Sequence, residues 1–374
     1  MKKKIGILTQ PLHDNYGGLL QAYALKTTLE RLGHDVQIIN RRRDTVSFEY
    51  SVKKFIKGLL GRGPKFKLTG EQQSVISQHT NYFAKTYIKD ITLPVYSTEG
   101  LKKIAANYDV YVVGSDQVWR PRYSPQITNY YLDFIEGSDK KGLAYAASFG
   151  VDEWEYTEKD TKACRQHIHN FKAISVREDS AVDLCLNYLG ADAVHVIDPT
   201  MLLEKDDYIG LIRKENEDQA PGNLMCYILD DQQDKQYLIN EVSAAFDLKV
   251  FAANPPQKVG SGPIEDMADF IFPKVTYWLN GFNSAEFVIT DSFHGTVFSI
   301  LFNKPFLVVA NIKRGKARFE SLLKMFKLED RLITDAREMH REKILNMKPV
   351  DWDSVNSILV KKRQFAMDFL RTNL

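Results

Sequence analysis

Short apolar runs alternate along this chain with longer stretches whose apolar positions recur at helical spacing. Residues 4–9 read as a first strand. Leu20, Tyr23, Ala24, Leu25 and Leu29 share one face of a helix predicted over 19–32, and Gly33 supplies the glycine that ends it. Residues 36–39, 109–113, 142–146, 173–176 and 194–197 read as further strands. A second series follows: strand 224–229, helix 232–246, strand 249–252 and a helix near 274–283. The densest stretch is 287–309. Phe287-Val288-Ile289 is a buried strand, Thr290-Asp291-Ser292 breaks it, and Val297, Phe298, Ile300, Leu301 and Phe302 form a helical stripe. Lys304-Pro305 ends that helix, and 306–310 is the next strand. Asp351-Trp352-Asp353 reads as the cap of a final helix over 353–371.

Strands alternating with helices predict parallel sheets covered on both faces. The charged run 204–222, ending in Ala220-Pro221-Gly222, marks a boundary. The expected layout is a Rossmann-like domain over 1–205, a second over 206–350, and a C-terminal helix over 351–374. At 374 residues with 44% apolar content, two domains with two cores are the natural expectation. A net charge of +2 implies no nucleic-acid partner. Cys164, Cys185 and Cys226 are too few and too scattered for a disulfide framework, and read as small buried residues of a cytoplasmic protein. The apolar run after Met1-Lys2-Lys3-Lys4 is short and reads as a strand, not a secretion signal. No apolar run is long enough to span a membrane.

The polar residues at the strand ends carry the candidate chemistry. His294 stands at the carboxyl end of one strand and just before a helix N-terminus, where open α/β sheets place ligands and backbone N–H groups favour an anion. Its plain alternative is a packed or capping residue. Gly17 and Gly18, beside Asn15 after the first strand, let a ligand approach the backbone, or simply allow a tight turn. No Gly-x-Gly-x-x-Gly spacing supports a dinucleotide. Asp116 and Gln117 follow another strand, with Trp119 close by. A carboxylate to deprotonate a hydroxyl, an amide and an indole to stack on a pyranose suit a sugar; a capping Asp and a core Trp are the alternative. Arg177 closes the 173–176 strand and can grip a carboxylate or phosphate in bidentate fashion, or pair with Glu178 or Asp179. Lys313, Arg314, Lys316 and Arg318 crowd the end of the last strand; Arg314 and Arg318 are favoured for an anion over a merely solvated charged face. No metal is expected: Cys164, His167 and His169 fit no zinc spacing, and Asp351-Trp352-Asp353 does not follow a strand. Between Arg41 and Lys67 lie nine basic and two acidic residues. Val52, Phe55, Ile56, Leu59 and Leu60 fall on one helical face flanked by Lys53, Lys54 and Lys57, which suits weak, salt-screened contact with an anionic membrane surface, or packing on the first domain.

Five of these stretches resemble, in order, the signatures of the polysaccharide pyruvyl transferase family. They are Asp14–Gly18, Gly114–Trp119, Tyr145–Gly150, Ile174–Glu178 with Asp198-Pro199-Thr200, and Thr290–Ser299. The resemblance implies a GT-B-like arrangement of the two domains, with the active site in the cleft between them. It implies transfer of pyruvate from phosphoenolpyruvate to two hydroxyls of a sugar in an extracellular or capsular polysaccharide precursor, forming a cyclic ketal and needing no other cofactor. His294 and Asp116 would be catalytic, His294 protonating the methylene or holding the leaving phosphate and Asp116 acting as the base. Arg177, Ser292, Arg314 and Arg318 would bind the donor. Asn15, Gly17, Gly18, Gln117 and Trp119 would hold the saccharide acceptor, lipid-linked or free. On this reading Arg177→Met loses phosphoenolpyruvate and keeps the fold. Many members carry Arg-Leu-His where this chain has Ser292-Phe293-His294, so one expected cation is missing. Two other readings stay open: a sugar-nucleotide glycosyltransferase, with Glu265, Asp266 or Asp269 near a ribose, and a saccharide-binding module without catalysis.

Overall fold

The computed structural model describes residues 1–43, 68–230, 233–259, 266–310 and 315–374. All strand pairs are parallel. The first sheet holds β1 (Lys4–Leu8), β2 (Asp35–Ile38), β3 (Val110–Val113), β4 (Lys141–Ala147), β5 (Phe171–Val176) and β6 (Val194–His195), in the order β2-β1-β3-β4-β5-β6. The second holds β7 (Leu224–Tyr227), β8 (Val250–Ala252), β9 (Phe287–Thr290), β10 (Phe306–Val309) and β11 (Leu332–Ile333), in the order β11-β10-β9-β7-β8. Every residue of β7, β9 and β10 is buried, as expected where helices cover both faces of a parallel sheet. Two Rossmann-like units in the GT-B-like arrangement result.

The helix Tyr16–Arg31 starts earlier than the apolar stripe alone predicts, because Asn15 already stands in extended backbone as its N-cap. Gly17 and Gly18 therefore belong to its first turn instead of a loop. Gly33 is left-handed, with φ of +92°. The charged run after 204 is not a bare connection: Lys205–Lys214 is a helix with Tyr208, Leu211 and Ile212 buried, its charges forming the outer face.

One apolar cluster runs through both halves. At its centre the Tyr16 ring meets Tyr227, Phe272 and Trp278 of the second half at centroid separations of 6.2, 6.0 and 5.6 Å. The Tyr16 hydroxyl donates to Pro273 O at 2.8 Å. The final helix Trp352–Asn373, capped by Asp351, crosses back onto the first half. Arg363 donates from Nε to Met201 O at 2.8 Å and from Nη2 to Leu203 O at 3.1 Å, and Phe369 lies against Tyr145. The three cysteines are buried free thiols. Of the basic segment, residues 44–67 lie outside the described residues; Arg41, at its start, is buried and donates from Nε to Asn129 Oδ1. Among the described residues no helix is long and apolar enough to cross a membrane.

Leu370 is fully buried on the final helix. Leu370→Ala should lower stability in urea unfolding by about 2–5 kcal/mol, the usual cost of such a cavity; an unchanged midpoint would show that the helix is not part of the cooperative core.

Candidate active site

Four polar side chains converge from the carboxyl ends of strands in both sheets. Asp116 follows β3 through Gly114-Ser115. Gly114 has φ of +131°, and a Cβ there would collide with Tyr145 O. The Ser115 N–H donates to Gln21 Oε1 and its hydroxyl to Ala146 O. This pinned turn holds Asp116 itself in left-handed backbone, φ 68°, an uncommon state for a residue with a side chain. Arg177 directly follows β5, and Asp198 stands just beyond β6. His294 enters from the other half, in the first turn of the helix Phe293–Leu301 after β9.

Arg177 is the hub. Its Nη1 donates to Asp198 Oδ2 at 2.9 Å and its Nη2 to Asp116 Oδ1 at 3.4 Å, while Nε lies 3.8 Å from Glu178 Oε1. The guanidinium stands 4.4 Å from the centroid of Phe293, a cation–π contact made in a desolvated place. The same Asp198 oxygen lies 3.5 Å from His294 Nε2, and its other oxygen accepts from the Thr200 N–H and hydroxyl. Burial works against the charge on Asp198, yet His294, Arg177 and the Thr200 N–H outweigh it and hold the carboxyl well below the usual carboxylate range. Glu178 goes the other way. Burial raises it, and Arg177 with the Ser148 hydroxyl only partly offsets that. Its Oε2 is buried with no hydrogen-bond partner among the described residues. Arg318, on the helix Ala317–Phe326, also approaches the Phe293 ring, at 5.7 Å. Burial, then the charge of Arg177, lowers Arg318 to about 10.

The imidazole of His294 lies on the backbone of Gly17: a Cβ there would overlap the ring at Nδ1. Gly17 thus admits a side chain of its own protein, where the sequence suggested a ligand. Nε2 is buried without a hydrogen-bond partner among the described residues, so it is the edge turned toward the cluster.

The other expected residues are more scattered. Trp119 is a core residue, not a stacking platform: it is fully buried, stacked on Tyr131 at 5.1 Å, and donates Nε1–H to Tyr130 O. Ser292 caps its helix, its hydroxyl accepting from the Gly295 N–H. Gln117 Oε1 accepts from Arg120 and packs on Gly150. Asn15 is exposed at the start of the first helix and touches Gly18. Arg314 lies outside the described residues. Asp291 is structural: its carboxylate accepts the N–H groups of Leu229 and Asp230 and pairs with Lys235 at 2.6 Å. Sequence reasoning missed Asp198 as a site residue and Phe293 as its surroundings, and offered Glu178 only as an ion-pair partner for Arg177, which it lies near. The signal for Asp198 was its place after a strand and before a proline.

Two parallel Rossmann-like units with a charged cluster at the seam define a GT-B-like protein. The family model described as Polysaccharide pyruvyl transferase matches residues 15–313, and the chain belongs to that family. The fold is similar to that of UDP-GlcNAc 2-epimerase from Neisseria meningitidis bound to UDP-GlcNAc, with a TM-score of 0.50 at 10% identity over 100% of both chains. The epimerase of Methanocaldococcus jannaschii in complex with UDP-GlcNAc and UDP gives 0.46 at 13% identity, covering 98% of this chain and 100% of that one. At such identities the likeness is one of fold alone. No curated protein sequence matches the chain.

Gly17→Ala should destabilise the protein by about 1–3 kcal/mol through overpacking. Adding His294→Ala should relieve most of that loss, since the new methyl meets the imidazole; additive losses in urea unfolding would place the collision elsewhere. A second expectation concerns pH. A carboxyl raised in the folded state contributes nothing while protonated in both states and becomes destabilising as pH climbs from the unfolded value to the folded one. Glu178→Gln should therefore gain on the parent protein as pH rises above the ordinary glutamate value of about 4. Asp198→Asn has the opposite sign, because the depressed carboxyl contributes stability that is complete above about pH 4 and lost in stronger acid. Urea midpoints from strong acid to neutral pH check both, the Asp198 difference below about pH 4 and the Glu178 difference above it, and a pH-independent difference for Glu178→Gln would refute the burial argument.

Proposed function

We propose that this family member transfers pyruvate from phosphoenolpyruvate to two hydroxyls of a saccharide precursor, forming a cyclic ketal and releasing inorganic phosphate. The observation that carries the reading is the meeting of Arg177, Asp116 and Asp198 from one half with His294 from the other, in a family of pyruvyl transferases. Protonation of the donor methylene makes it a methyl group and leaves an oxocarbenium-like carbon. One sugar hydroxyl adds there with loss of its proton. A second displaces phosphate, and its proton leaves with the phosphate. On this reading His294, beside the Asp198 carboxylate, gives the methylene its proton or holds the leaving phosphate, and Asp116, at the turn after β3, takes a proton from a hydroxyl.

Charge balance decides which groups hold the donor. Phosphoenolpyruvate carries close to three negative charges, and Arg177 already faces Asp198, Asp116 and Glu178. Arg177 is thus an organiser of carboxylates. Arg177→Met would strip the buried Asp198 and Asp116 carboxylates of the cation they share and cost about 3–5 kcal/mol of stability, so the fold is not expected to survive that change untouched. Donor binding falls instead to Arg318, with its charge held in a dehydrated place, and to the basic residues just before it in sequence. Protonation of Glu178, favoured by its burial, lets the cluster accept an anion.

Phosphoenolpyruvate should raise the melting temperature of the parent protein, and UDP-sugars should not. Arg318→Gln should weaken phosphoenolpyruvate binding in calorimetry by about 10- to 160-fold, the range for a hydrogen bond to a charged group. Stabilisation by a UDP-sugar with no response to phosphoenolpyruvate would favour the glycosyltransferase reading.

A further inference from the structure

Glu178 follows Arg177 at the end of β5 and is 1% exposed. Its two oxygens are used unequally. Oε1 accepts from the Ser148 hydroxyl, and Ser148 is itself pinned, its N–H donating to Asp116 O at 3.2 Å. Oε2 is buried and has no hydrogen-bond partner among the described residues. Arg177 does not supply one. Its Nε stands 3.8 Å from Oε1, too far for a hydrogen bond, while Nη1 and Nη2 go to Asp198 and Asp116. An ion pair serving the fold alone leaves Oε2 unexplained. A buried polar atom without a partner is costly, and in a native structure it calls for a role.

Charged and titratable groups face Glu178 from every side. Arg177 is its neighbour in sequence, and Arg318 comes from the helix Ala317–Phe326 of the second half. Asp116 faces it from the turn after β3, and Cys185 from the helical turn Cys185–Leu189. Cys185 is a neutral thiol, pushed up to about 12 by its burial. Burial and Asp116 favour the neutral acid, the two cations favour the carboxylate, and burial prevails. An incoming anion adds negative charge and shifts the balance further toward the acid. A neutral carboxyl has one O–H to donate. Ser148 already gives its proton to Oε1, so Oε2 is the oxygen that carries it. We propose that Glu178 contacts the anionic donor as a neutral acid, Ser148 fixing Oε1 and Oε2–H donating to a donor oxygen. This rests on the reading of phosphoenolpyruvate as the donor bound at the seam. It turns a repulsion into a hydrogen bond at a place where Asp116 and Asp198 already supply negative charge. Where Glu178 is ionised in the empty site, binding takes one proton from solvent onto Oε2, and no bond of the donor is broken.

The test is calorimetry with phosphoenolpyruvate on the full chain, from about pH 5 to about pH 9, for the parent protein, Glu178→Gln and Glu178→Ala. The donor's own phosphate titrates alike with all three, so the ratio of parent to variant affinity isolates Glu178. Glutamine keeps the shape and offers an N–H in place of the O–H, with no proton to lose. Parent and Glu178→Gln should bind alike at the acid end. The parent should then fall behind by up to about tenfold per pH unit as Glu178 ionises. The parent alone should take up a proton, read from the heats in buffers of different ionisation enthalpy. Glu178→Ala should lose about 10- to 160-fold at the acid end, the range for a hydrogen bond to a charged group. If Glu178→Ala does not fold, the glutamine comparison decides alone. A pH-independent ratio without proton uptake overturns the inference, as does a glutamine variant weaker than the parent at every pH. If the parent binds phosphoenolpyruvate and the ratio is flat, this inference alone fails. If no protein of the set binds phosphoenolpyruvate at any pH, the donor reading fails and the inference falls with it.

Discussion

The structure turns on one buried carboxylate at the seam between its halves. Asp198 has no solvent to stabilise its charge, so the protein must supply that charge with partners. Arg177 comes from its own domain, and His294 comes from the other. The second domain therefore meets the first through an electrostatic constraint as well as through the aromatic packing around Tyr16. Neighbouring features serve that constraint. Gly17 makes room for the imidazole, and Phe293 places a ring under Arg177. The final helix adds covalent continuity, carrying the second half back over the first.

This arrangement explains why the cluster suits acid–base chemistry better than simple anion capture. Three carboxylates face two guanidinium groups, all largely out of water. Their environments push them apart, Asp198 toward permanent ionisation and Glu178 toward protonation. Groups separated in this way can hold and accept protons at one pH. Ser292 fits the same picture, since its hydroxyl caps the helix that carries His294.

Much of the fold was legible because parallel strands buried on both faces leave continuous apolar runs, as at Phe287-Val288-Ile289, and because proline and glycine punctuate their ends. The meeting of strand-end residues was legible for the same reason: Asp116, Arg177 and His294 each follow a strand, and parallel sheets send all such ends to one side. What stayed hidden was pairwise. Nothing local in Asp198-Pro199-Thr200 shows that its carboxylate answers to Arg177 and His294. Trp119 looked like a sugar platform because an indole beside a carboxylate suits both a pyranose and a core, and only packing tells them apart. Gly17 looked ligand-facing because a glycine reports a close approach without saying of what. The helix Lys205–Lys214 was obscured by its charges, since only one narrow face is buried. Strand order leaves no mark on local pattern, so it emerged only from the sheets.

The central claim is that Arg177, Asp198 and His294 act as one electrostatic unit shared by both domains, and that this unit organises the site proposed to hold the donor. The most direct measurement is a double-mutant cycle of His294→Gln and Asp198→Asn, read as phosphoenolpyruvate affinity by calorimetry on folded variants. The account predicts strongly non-additive losses, with a coupling of about 0.5–3 kcal/mol, as found for residues in one network. Additive losses, or variants that bind phosphoenolpyruvate like the parent protein, would contradict it.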